Sequence, residues 1–275
     1  MPTRAKISIH TGDAPPSPAT LSIRLKYASE ESTAWFLPEK TAFVTGIPGD
    51  LDGTAGMLRQ LGVISPSYRW IFGDGHLVVL GNCLDGSEQS IRLLWFFYGL
   101  ESSAIKHKGH VHFLPGTMEE KHLDGSWKCL QPPYAPKAIN AVSQYVFLYD
   151  GNQELFRWLM SKHLHLKIGD MAVVQCRRKA SCPWIRKTPA DRIKWPVLER
   201  KPGELALSEL SALRKKLQVK LLLLADTDSG EVRLYQGSRS ENRPVALPLI
   251  RDKEHWAQYV LDSGHNNPGN PNFPG

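Results

Sequence analysis

The stretch FVTGIPGDLDG, residues 43–53, decides how the rest of the chain is interpreted. It continues an apolar run over residues 41–44, which predicts a short buried strand. The apolar residues Met57, Leu58 and Leu61 have helical spacing, which predicts a helix at residues 54–61 that ends before Gly62. The stretch is therefore the turn between a buried strand and a helix.

This turn carries few chemically useful side chains. In an open α/β sheet, the turn that follows a strand is where a ligand is usually held. Here the turn supplies Gly46, Pro48 and one acid, Asp50. Because neither Gly46 nor Pro48 offers a side-chain lone pair, we expect a ligand site whose reactive groups have been replaced.

The strand–helix alternation continues through the first half of the chain. Apolar patterns predict a second strand at residues 76–81, a helix at residues 87–102 and a third strand at residues 108–114. Strands that alternate with helices in this way favour a parallel sheet with right-handed crossovers.

The second half and the two ends of the chain follow less regular patterns. Alternation at residues 6–10 and 21–26 predicts an N-terminal hairpin, and Gly169-Asp170 predicts another. The spacing of Trp256, Tyr259 and Val260 predicts a last helix at residues 252–262. The other predictions are helices at residues 138–146, 153–162 and 207–217, and strands at residues 164–168, 171–175, 219–225, 231–235 and 245–247.

Composition restricts the class of protein. The chain has 275 residues, of which 41% are apolar and 22% charged, as in ordinary globular proteins. Its longest apolar runs, residues 93–100 and 221–225, are far shorter than the roughly 20 residues that span a bilayer. The four cysteines have no metal-binding spacing, so we expect reduced thiols in a soluble, intracellular protein. Cytoplasm and mitochondrion are both open.

Positive charge is concentrated in one segment. The formal net charge is +7, but residues 171–220 contain 13 Lys and Arg against 4 Asp and Glu. A solvated basic face is the simpler interpretation, and contact with a nucleic-acid backbone is the alternative. The candidate binding patch consists of Arg177, Arg178, Lys179, Arg186 and Lys187.

Histidines and cysteines could also indicate chemistry. No carboxylate has helical or turn spacing to the histidines, so we expect structural or solvent-facing roles rather than a metal site. The histidines considered are His110, His112, His122, His163 and His165. For Cys83 and Cys176 we expect small buried hydrophobes rather than nucleophiles.

The order of the loop motifs resembles that of the calcineurin-like metallophosphoesterases, especially the phosphoprotein phosphatase-like members. That family carries D-x-H-G-D, G-D-x-x-D-R-G and G-N-H-E after its first three strands, then F-V-H-G-G and G-H-T. The corresponding stretches here are residues 46–50, 81–87, 116–119, 173–177 and 225–227. The frame LVVLGNCLDGSEQS, residues 77–90, is the most specific match.

The resemblance implies an α/β sandwich of two mixed sheets flanked by helices. In the family, two divalent metals at one edge of this sandwich activate a water for phosphate hydrolysis. Here every position that matches a metal ligand or the general acid is altered: Gly46, Pro48, Asn82, Thr117, Met118, Gln175 and Asp226. The retained acids, which mainly brace the loops in the family, are Asp50, Asp85 and Glu119.

We therefore expect a pseudophosphatase: a catalytically inactive protein without metal or cofactor, acting as a structural or interaction subunit of a larger intracellular assembly of proteins. One alternative is a divergent active phosphoesterase that holds one metal with Asn82, Asp85, Glu119 and Asp226. Another is a basic, RNA-contacting subunit of a ribonucleoprotein, with residues 177–220 as the contact surface.

The predicted domain organisation has three parts. Residues 1–40 form an N-terminal extension of strands, and residues 41–250 form the metallophosphoesterase-like domain. Residues 251–275 form a helix and a tail rich in Asn, Pro and Gly.

Overall fold

The computed structural model describes residues 6–10, 20–25, 31–45, 51–84, 88–123, 154–176, 198, 204–226, 231–236, 243–244, 249–252 and 255–258. Within those ranges the chain forms thirteen strands and five helices. The strands are β1 Lys6–His10, β2 Thr20–Arg24, β3 Ala34–Trp35, β4 Lys40–Thr45, β5 His76–Leu80, β6 His110–Leu114, β7 His165–Ile168, β8 Met171–Cys176, β9 Leu221–Asp226, β10 Glu231–Gln236, β11 Arg243–Pro244, β12 Leu249–Asp252 and β13 His255–Gln258. The helices are α1 Leu51–Gln60, α2 Glu88–Lys106, α3 Thr117–Leu123, α4 Glu154–Met160 and α5 Leu207–Leu217.

The predicted parallel unit is confirmed in the first half of the chain. Strands β4, β5 and β6 lie side by side and run parallel, with Thr41 aligned to His76 and His76 aligned to His110. Every residue of β5 is buried, because a parallel strand is covered on both faces. Helices α1 and α2 make the two connections between these strands. With the hairpin of β12 and β13 beside β4, the sheet has the order β13-β12-β4-β5-β6.

The second sheet has six strands in the order β11-β10-β9-β8-β7-β3. The predicted hairpin of β7 and β8 is confirmed as antiparallel. It turns at Gly169, whose φ of +55° lies in the left-handed region that glycine adopts without steric cost. Strands β8 and β9 are parallel, with α5 in the connection between them. The predicted N-terminal hairpin, β1 with β2, forms a separate two-stranded sheet.

Local sequence explains the bounds of α5. The Glu209 side chain accepts a hydrogen bond from the Ala206 backbone N–H at 2.9 Å, at the start of the helix. The helix ends at Gln218, whose φ of +55° is left-handed. Its buried face carries Leu210, Leu213 and Leu217, which lie at the spacing that predicts a helix from sequence.

The hydrophobic core has three layers. The layer between the two sheets includes Phe43 and Val78 from one sheet and Val173 and Leu223 from the other. On the outer face of the five-stranded sheet lies the largest cluster, to which α1, α2 and α4 contribute. On the outer face of the six-stranded sheet, α5 packs on β8 and β9. Alternating side chains place successive residues of each strand in different layers. The fold is therefore a mixed α/β arrangement of two sheets flanked by helices.

The prediction of a last helix at residues 252–262 is wrong where the structure describes that segment. Asp252 ends β12, and His255–Gln258 forms β13. Strand β12 pairs antiparallel with β4, with Leu249 aligned to Phe43. The pairing with a strand two hundred residues away overrides the local spacing of apolar residues. Helix α3 and strand β3 were not predicted.

Two further predicted elements, the helix at residues 138–146 and the strand at residues 245–247, lie outside the described residues. Both sheets also reach across the predicted domain boundaries, since β3 precedes residue 40 and β13 follows residue 250. In the part of the chain that the structure describes, no helix is both long and apolar enough to cross a bilayer.

Candidate functional site

The loops that carry the motif resemblance follow β4, β5, β6, β8 and β9. Six of the predicted positions lie in described parts of these loops and strand ends: Asn82, Thr117, Met118, Glu119, Gln175 and Asp226. The others, Gly46, Pro48, Asp50 and Asp85, lie outside the described residues, as does the basic patch of Arg177, Arg178, Lys179, Arg186 and Lys187.

Asn82 joins the loops that follow β5 and β6. Its backbone is left-handed, with a φ of +60°, a conformation that asparagine tolerates better than most residues. Its side-chain Oδ1 accepts a hydrogen bond from the Met118 backbone N–H at 3.0 Å. The loops approach so closely that a Cβ on Gly116 would lie 2.5 Å from both the backbone nitrogen and Oδ1 of Asn82. Asn82 therefore acts as a cross-link between two loops.

Glu119 is buried at the same junction and accepts four backbone hydrogen bonds. Its oxygens lie 2.7 Å from the amide nitrogen of Asn82, 2.6 Å from that of Cys83, 3.0 Å from that of Leu84 and 2.7 Å from that of Gly116. Burial raises the pKa of this carboxyl, while the four N–H groups oppose that rise. The carboxylate holds the loop after β5 against the start of α3.

Gln175 and Asp226 do not lie on the same face of the six-stranded sheet. The Gln175 side-chain amide Nε2 donates to the Leu114 carbonyl at 3.2 Å, which joins the two sheets across the inner layer. Asp226 is aligned with Cys176 in the parallel pairing of β8 and β9, and Cys176 belongs to the outer cluster under α5. Aligned residues of paired strands share a face, so Asp226 lies on the side of α5.

The remaining described positions are also used for packing. Thr117 is the first residue of α3, and the partly buried Met118 packs against the cluster that covers the five-stranded sheet. Cys83 belongs to that same cluster, whereas Cys176 lies in the cluster under α5. Both thiols are buried, and they lie in separate clusters.

The described residues do not fit a pair of catalytic metals. Divalent metals that cleave phosphate esters are held by anionic or imidazole ligands. Asn82 offers only a neutral amide oxygen, which accepts a hydrogen bond from Met118. The Glu119 carboxylate is surrounded by four backbone N–H groups, and Asp226 lies on the other face of its sheet from Gln175. In the described ranges, no group of three or more His, Cys, Asp and Glu side chains is arranged to hold a metal ion.

Two of the histidines considered from sequence belong to a cluster far from these loops. His110 and His112 of β6 pack with His76 of β5 and with Trp35 of β3. Sequence analysis missed both His76 and Trp35. The one available signal was a histidine at or near the start of each of two successive predicted strands, His76 in one and His110 in the other.

The remaining histidines lie elsewhere. His163 Nε2 hydrogen-bonds the Glu31 backbone carbonyl at 2.8 Å. Burial, followed by the nearby charge of His163, lowers the pKa of His165 to about 3. The His122 side chain lies outside the described residues.

Sequence comparison relates part of the chain to a phosphatase. No protein-family model matches the chain. An uncharacterized protein of Schizosaccharomyces pombe is 32% identical over 88 residues, and Shewanella-like protein phosphatase 2 of Arabidopsis thaliana is 25% identical over 91 residues. These matches cover 31% and 33% of this chain, and 26% and 23% of the two relatives. The chain therefore spans about a quarter of the length of the curated relatives it matches.

Structure comparison covers most of the chain. A cold-active protein tyrosine phosphatase of a psychrophile Shewanella species matches with a TM-score of 0.62 and 18% identity, over 88% of this chain and 86% of that one. A mutant of a cold-active protein tyrosine phosphatase matches with a TM-score of 0.61 and 18% identity, over 80% of this chain and 82% of that one. A third structure, a cold-active protein tyrosine phosphatase at 1.1 Å, matches with a TM-score of 0.59 and 18% identity. The match covers 90% of this chain and 95% of that one.

Together these likenesses define the class of fold. Two sheets flanked by helices, matched over most of the chain to protein tyrosine phosphatase structures, make this a phosphatase fold. The sequence identity to those solved structures is 18%.

Proposed function

We propose that this protein is a pseudophosphatase: a calcineurin-like metallophosphoesterase in ancestry that has lost its metals and serves as a structural or interaction subunit. The unbroken order of the five loop motifs supports the ancestry. The phosphatase fold of the structural relatives agrees with it at a coarser level.

One observation carries the proposal. Two side chains at positions that match metal ligands, Asn82 and Gln175, are hydrogen-bonded to the protein's own backbone. Each of these bonds joins two segments of the chain: two loops in one case, two sheets in the other. Neutral amides used in this way do not supply the negative charge that holds two dications close together. The loss of ligands is thus matched by new internal bonds.

The alternative of a divergent enzyme with one metal has less support. It requires Asn82, Asp85, Glu119 and Asp226 to surround one ion. Glu119 is enclosed by backbone N–H groups, and Asp226 lies on the face of its sheet that α5 covers. Contact with RNA through the basic segment stays a prediction, because most of residues 177–203 lie outside the described residues.

Metal analysis and a phosphatase assay test the loss of catalysis. We expect the purified full chain, after exposure to Mn²⁺, Fe²⁺ or Zn²⁺ and removal of excess ion, to retain far less than one equivalent of metal. With p-nitrophenyl phosphate and phosphotyrosyl and phosphoseryl peptides, we expect no turnover above that of the Asp226→Asn variant. The substitution Glu204→Gln, at an exposed position, is the matched control.

Stoichiometric metal together with turnover that Asp85→Asn or Asp226→Asn abolishes would overturn the proposal in favour of the divergent enzyme. The subunit role is tested separately by size-exclusion chromatography of the endogenous protein in a native extract. We expect it to elute well above the 30.8 kDa of one chain. Elution as a monomer would contradict the subunit role while leaving the loss of catalysis untouched.

A further inference from the structure

The two sheets meet at one end through aromatic rings rather than aliphatic side chains. His76 begins β5, and in the register of the sheet it is aligned with His110, while Val78 is aligned with His112. These three histidines, named here the histidine cluster, alternate with residues of the outer layer and so share a face with Val78, which lies between the sheets. The cluster is at the amino ends of β5 and β6, opposite to the motif loops.

Trp35 of the other sheet covers the histidine cluster. Its ring centroid lies 4.1 Å from that of His110, 5.1 Å from that of His112 and 5.7 Å from that of His76. Within the cluster, His112 Nε2 and His76 Nδ1 are 3.0 Å apart, so one imidazole donates a hydrogen bond and the other accepts it. Acceptance requires an unprotonated ring nitrogen.

Trp35 belongs to a short segment at the edge of the six-stranded sheet. Residues 31–35, named here the strap, contain the two-residue strand β3 at the edge of the six-stranded sheet. Two backbone hydrogen bonds hold the strap to β7 and the turn after it. The Lys167 N–H donates to the Thr33 carbonyl at 2.6 Å, and the Gly169 N–H donates to the Trp35 carbonyl at 2.8 Å. At its start, the Glu31 carboxylate pairs with the buried ammonium of Lys162. The next residue after the strap, Phe36, is 97% exposed.

The charged groups around the histidine cluster do not compensate a positive charge on it. Lys162, which precedes β7, disfavours charge on His112, and its own ammonium is paired with Glu31 of the strap and Glu101 of α2. In the described part of the chain, no carboxylate forms an ion pair with the three imidazoles. The remaining charged neighbours in sequence are exposed: Lys40 at the start of β4, Asp74 before β5 and Lys106, His107 and Lys108 before β6. The backbone of Arg251 and Asp252 on β12 pairs with Thr41 and Lys40.

Burial is the main reason why these histidines stay neutral. It lowers the pKa of His76 to about 3, with the nearby charge of His110 as a second cause. It lowers the pKa of His110, and it lowers that of His112 well below the ordinary value, where His76, His110 and Lys162 add to the effect. All three imidazoles are therefore neutral at pH 7 as long as Trp35 covers them.

We propose that the strap is a proton-operated latch, in which protonation of the histidine cluster releases Trp35 from between the sheets and β3 from the edge of the six-stranded sheet, while the rest of the sandwich stays folded. This inference does not depend on whether the protein hydrolyses phosphate. Release uncovers the edge of β7, which β3 occupies in the closed form. Acidification thus changes which sheet edge is available for pairing with another chain.

The direction of the pH effect follows from proton linkage. Above the ordinary histidine pKa of about 6.5, the three imidazoles are neutral in both the closed and the released form, and protons do not favour release. As the pH falls below that value, the released form binds protons that the closed form excludes. The pKa of His76 is about 3 in the closed form, against about 6.5 in the released form. From this histidine alone, the equilibrium constant for release is about 30-fold larger at pH 5 than above the ordinary pKa.

Hydrogen exchange measured by mass spectrometry tests the latch in the full chain. After correction for the intrinsic pH dependence of exchange, we expect protection of peptides covering residues 31–37 to fall at least 10-fold between pH 7.5 and 5.0. Peptides covering β8 should keep their protection. The double variant His76→Leu/His112→Leu should remove most of this pH dependence, whereas the exposed His107→Gln should retain it.

If the double variant does not fold, the single variant His76→Gln provides the same comparison, with a smaller fall in protection than in the parent chain. Unchanged protection of residues 31–37 at pH 5.0 would overturn the proposal. A simultaneous loss in β8 would also overturn it, because the event would then be general acid unfolding. Equal pH dependence in the parent chain and the foldable histidine variant would exclude the histidine cluster as the proton acceptor.

Discussion

Replacement of Lys162 by methionine is expected to lower the free energy of unfolding by about 3–5 kcal/mol, the usual cost of removing one partner of a buried ion pair. The Lys162 side chain is fully buried, with its Nζ 2.5 Å from a Glu101 oxygen and in contact with a Glu31 oxygen. Burial opposes the charge on Lys162, but the attraction of Glu101 and Glu31 outweighs it, and the pKa of Lys162 is raised. The ammonium is thus charged in the folded protein.

The large effect comes from what the substitution leaves behind. Glu101 is 4% exposed in its side chain, and without Lys162 it is an almost completely buried carboxylate. The Trp158 indole N–H, 3.0 Å from each Glu101 oxygen, remains its hydrogen-bond donor but carries no charge. Methionine fills most of the volume of lysine, so the loss reflects charge rather than a cavity.

Urea denaturation of the full chain at pH 7 measures this loss. Lys108→Met, at an exposed position, should change the free energy of unfolding by no more than about 0.5 kcal/mol. Adding Glu101→Gln to Lys162→Met should recover part of the stability, since the neutral amide still accepts from Trp158. A loss below about 1 kcal/mol for Lys162→Met, or no recovery in the double variant, would contradict this account of the charge network.

Replacement of Glu119 by alanine is expected to cost at least about 4 kcal/mol of unfolding free energy. The change leaves four backbone N–H groups, those of Asn82, Cys83, Leu84 and Gly116, without their common acceptor. Each buried donor that loses its partner costs about 1–3 kcal/mol, and water entering the vacated space offsets part of the sum. The helix α3 also loses the anchor that holds its first turn to the loop after β5.

Glutamine at position 119 tests how much a single acceptor oxygen contributes at this junction. It keeps one acceptor oxygen but places an NH₂ group against N–H donors, so its cost should be intermediate between that of the parent chain and that of Glu119→Ala. Lys121→Ala, a partly exposed position on the same helix, is the matched control. Equal stability of Glu119→Ala and the parent chain in urea would show that the four bonds contribute nothing net. Glu119→Gln as costly as Glu119→Ala would show that both carboxylate oxygens are required at this junction.

The parallel half of the fold could be predicted because its signals are local. The segment that follows β4 in sequence contains glycine and proline. The apolar runs of β4 and β5 stand out because both faces of these strands are buried. The helix α5 shows its buried leucines at helical spacing. For these elements, local propensity and tertiary burial agree.

The last strands could not be predicted in this way. Trp256 and its apolar neighbours fit a helical spacing, but the segment is extended because β12 pairs with β4 and β13 with β12. A pairing between residues 43 and 249 leaves no trace in a local window. Tertiary contacts of this kind are the usual reason why strand preference depends on context.

The candidate site, too, could be predicted from sequence only in part. The replacement of ligand types could be identified residue by residue from the motif frame. The hydrogen bonds of the Asn82 and Gln175 side chains could not be predicted, because both join backbone groups more than thirty residues away in sequence. The Lys162 network is likewise hidden, because its two carboxylates lie 61 and 131 residues from the lysine in sequence. The histidine cluster required the register of β5 and β6, which sequence spacing does not contain.

The hairpin of β12 and β13 has a consequence for any shortened version of the chain. Strand β4 is flanked by β5 on one side and β12 on the other, and four of its six residues are buried. A chain ending before residue 249 would present β4 as a bare, apolar strand with unpaired amides and carbonyls. Such a strand recruits its counterpart from a neighbouring molecule, so truncation there would yield self-associating aggregates rather than a smaller soluble domain.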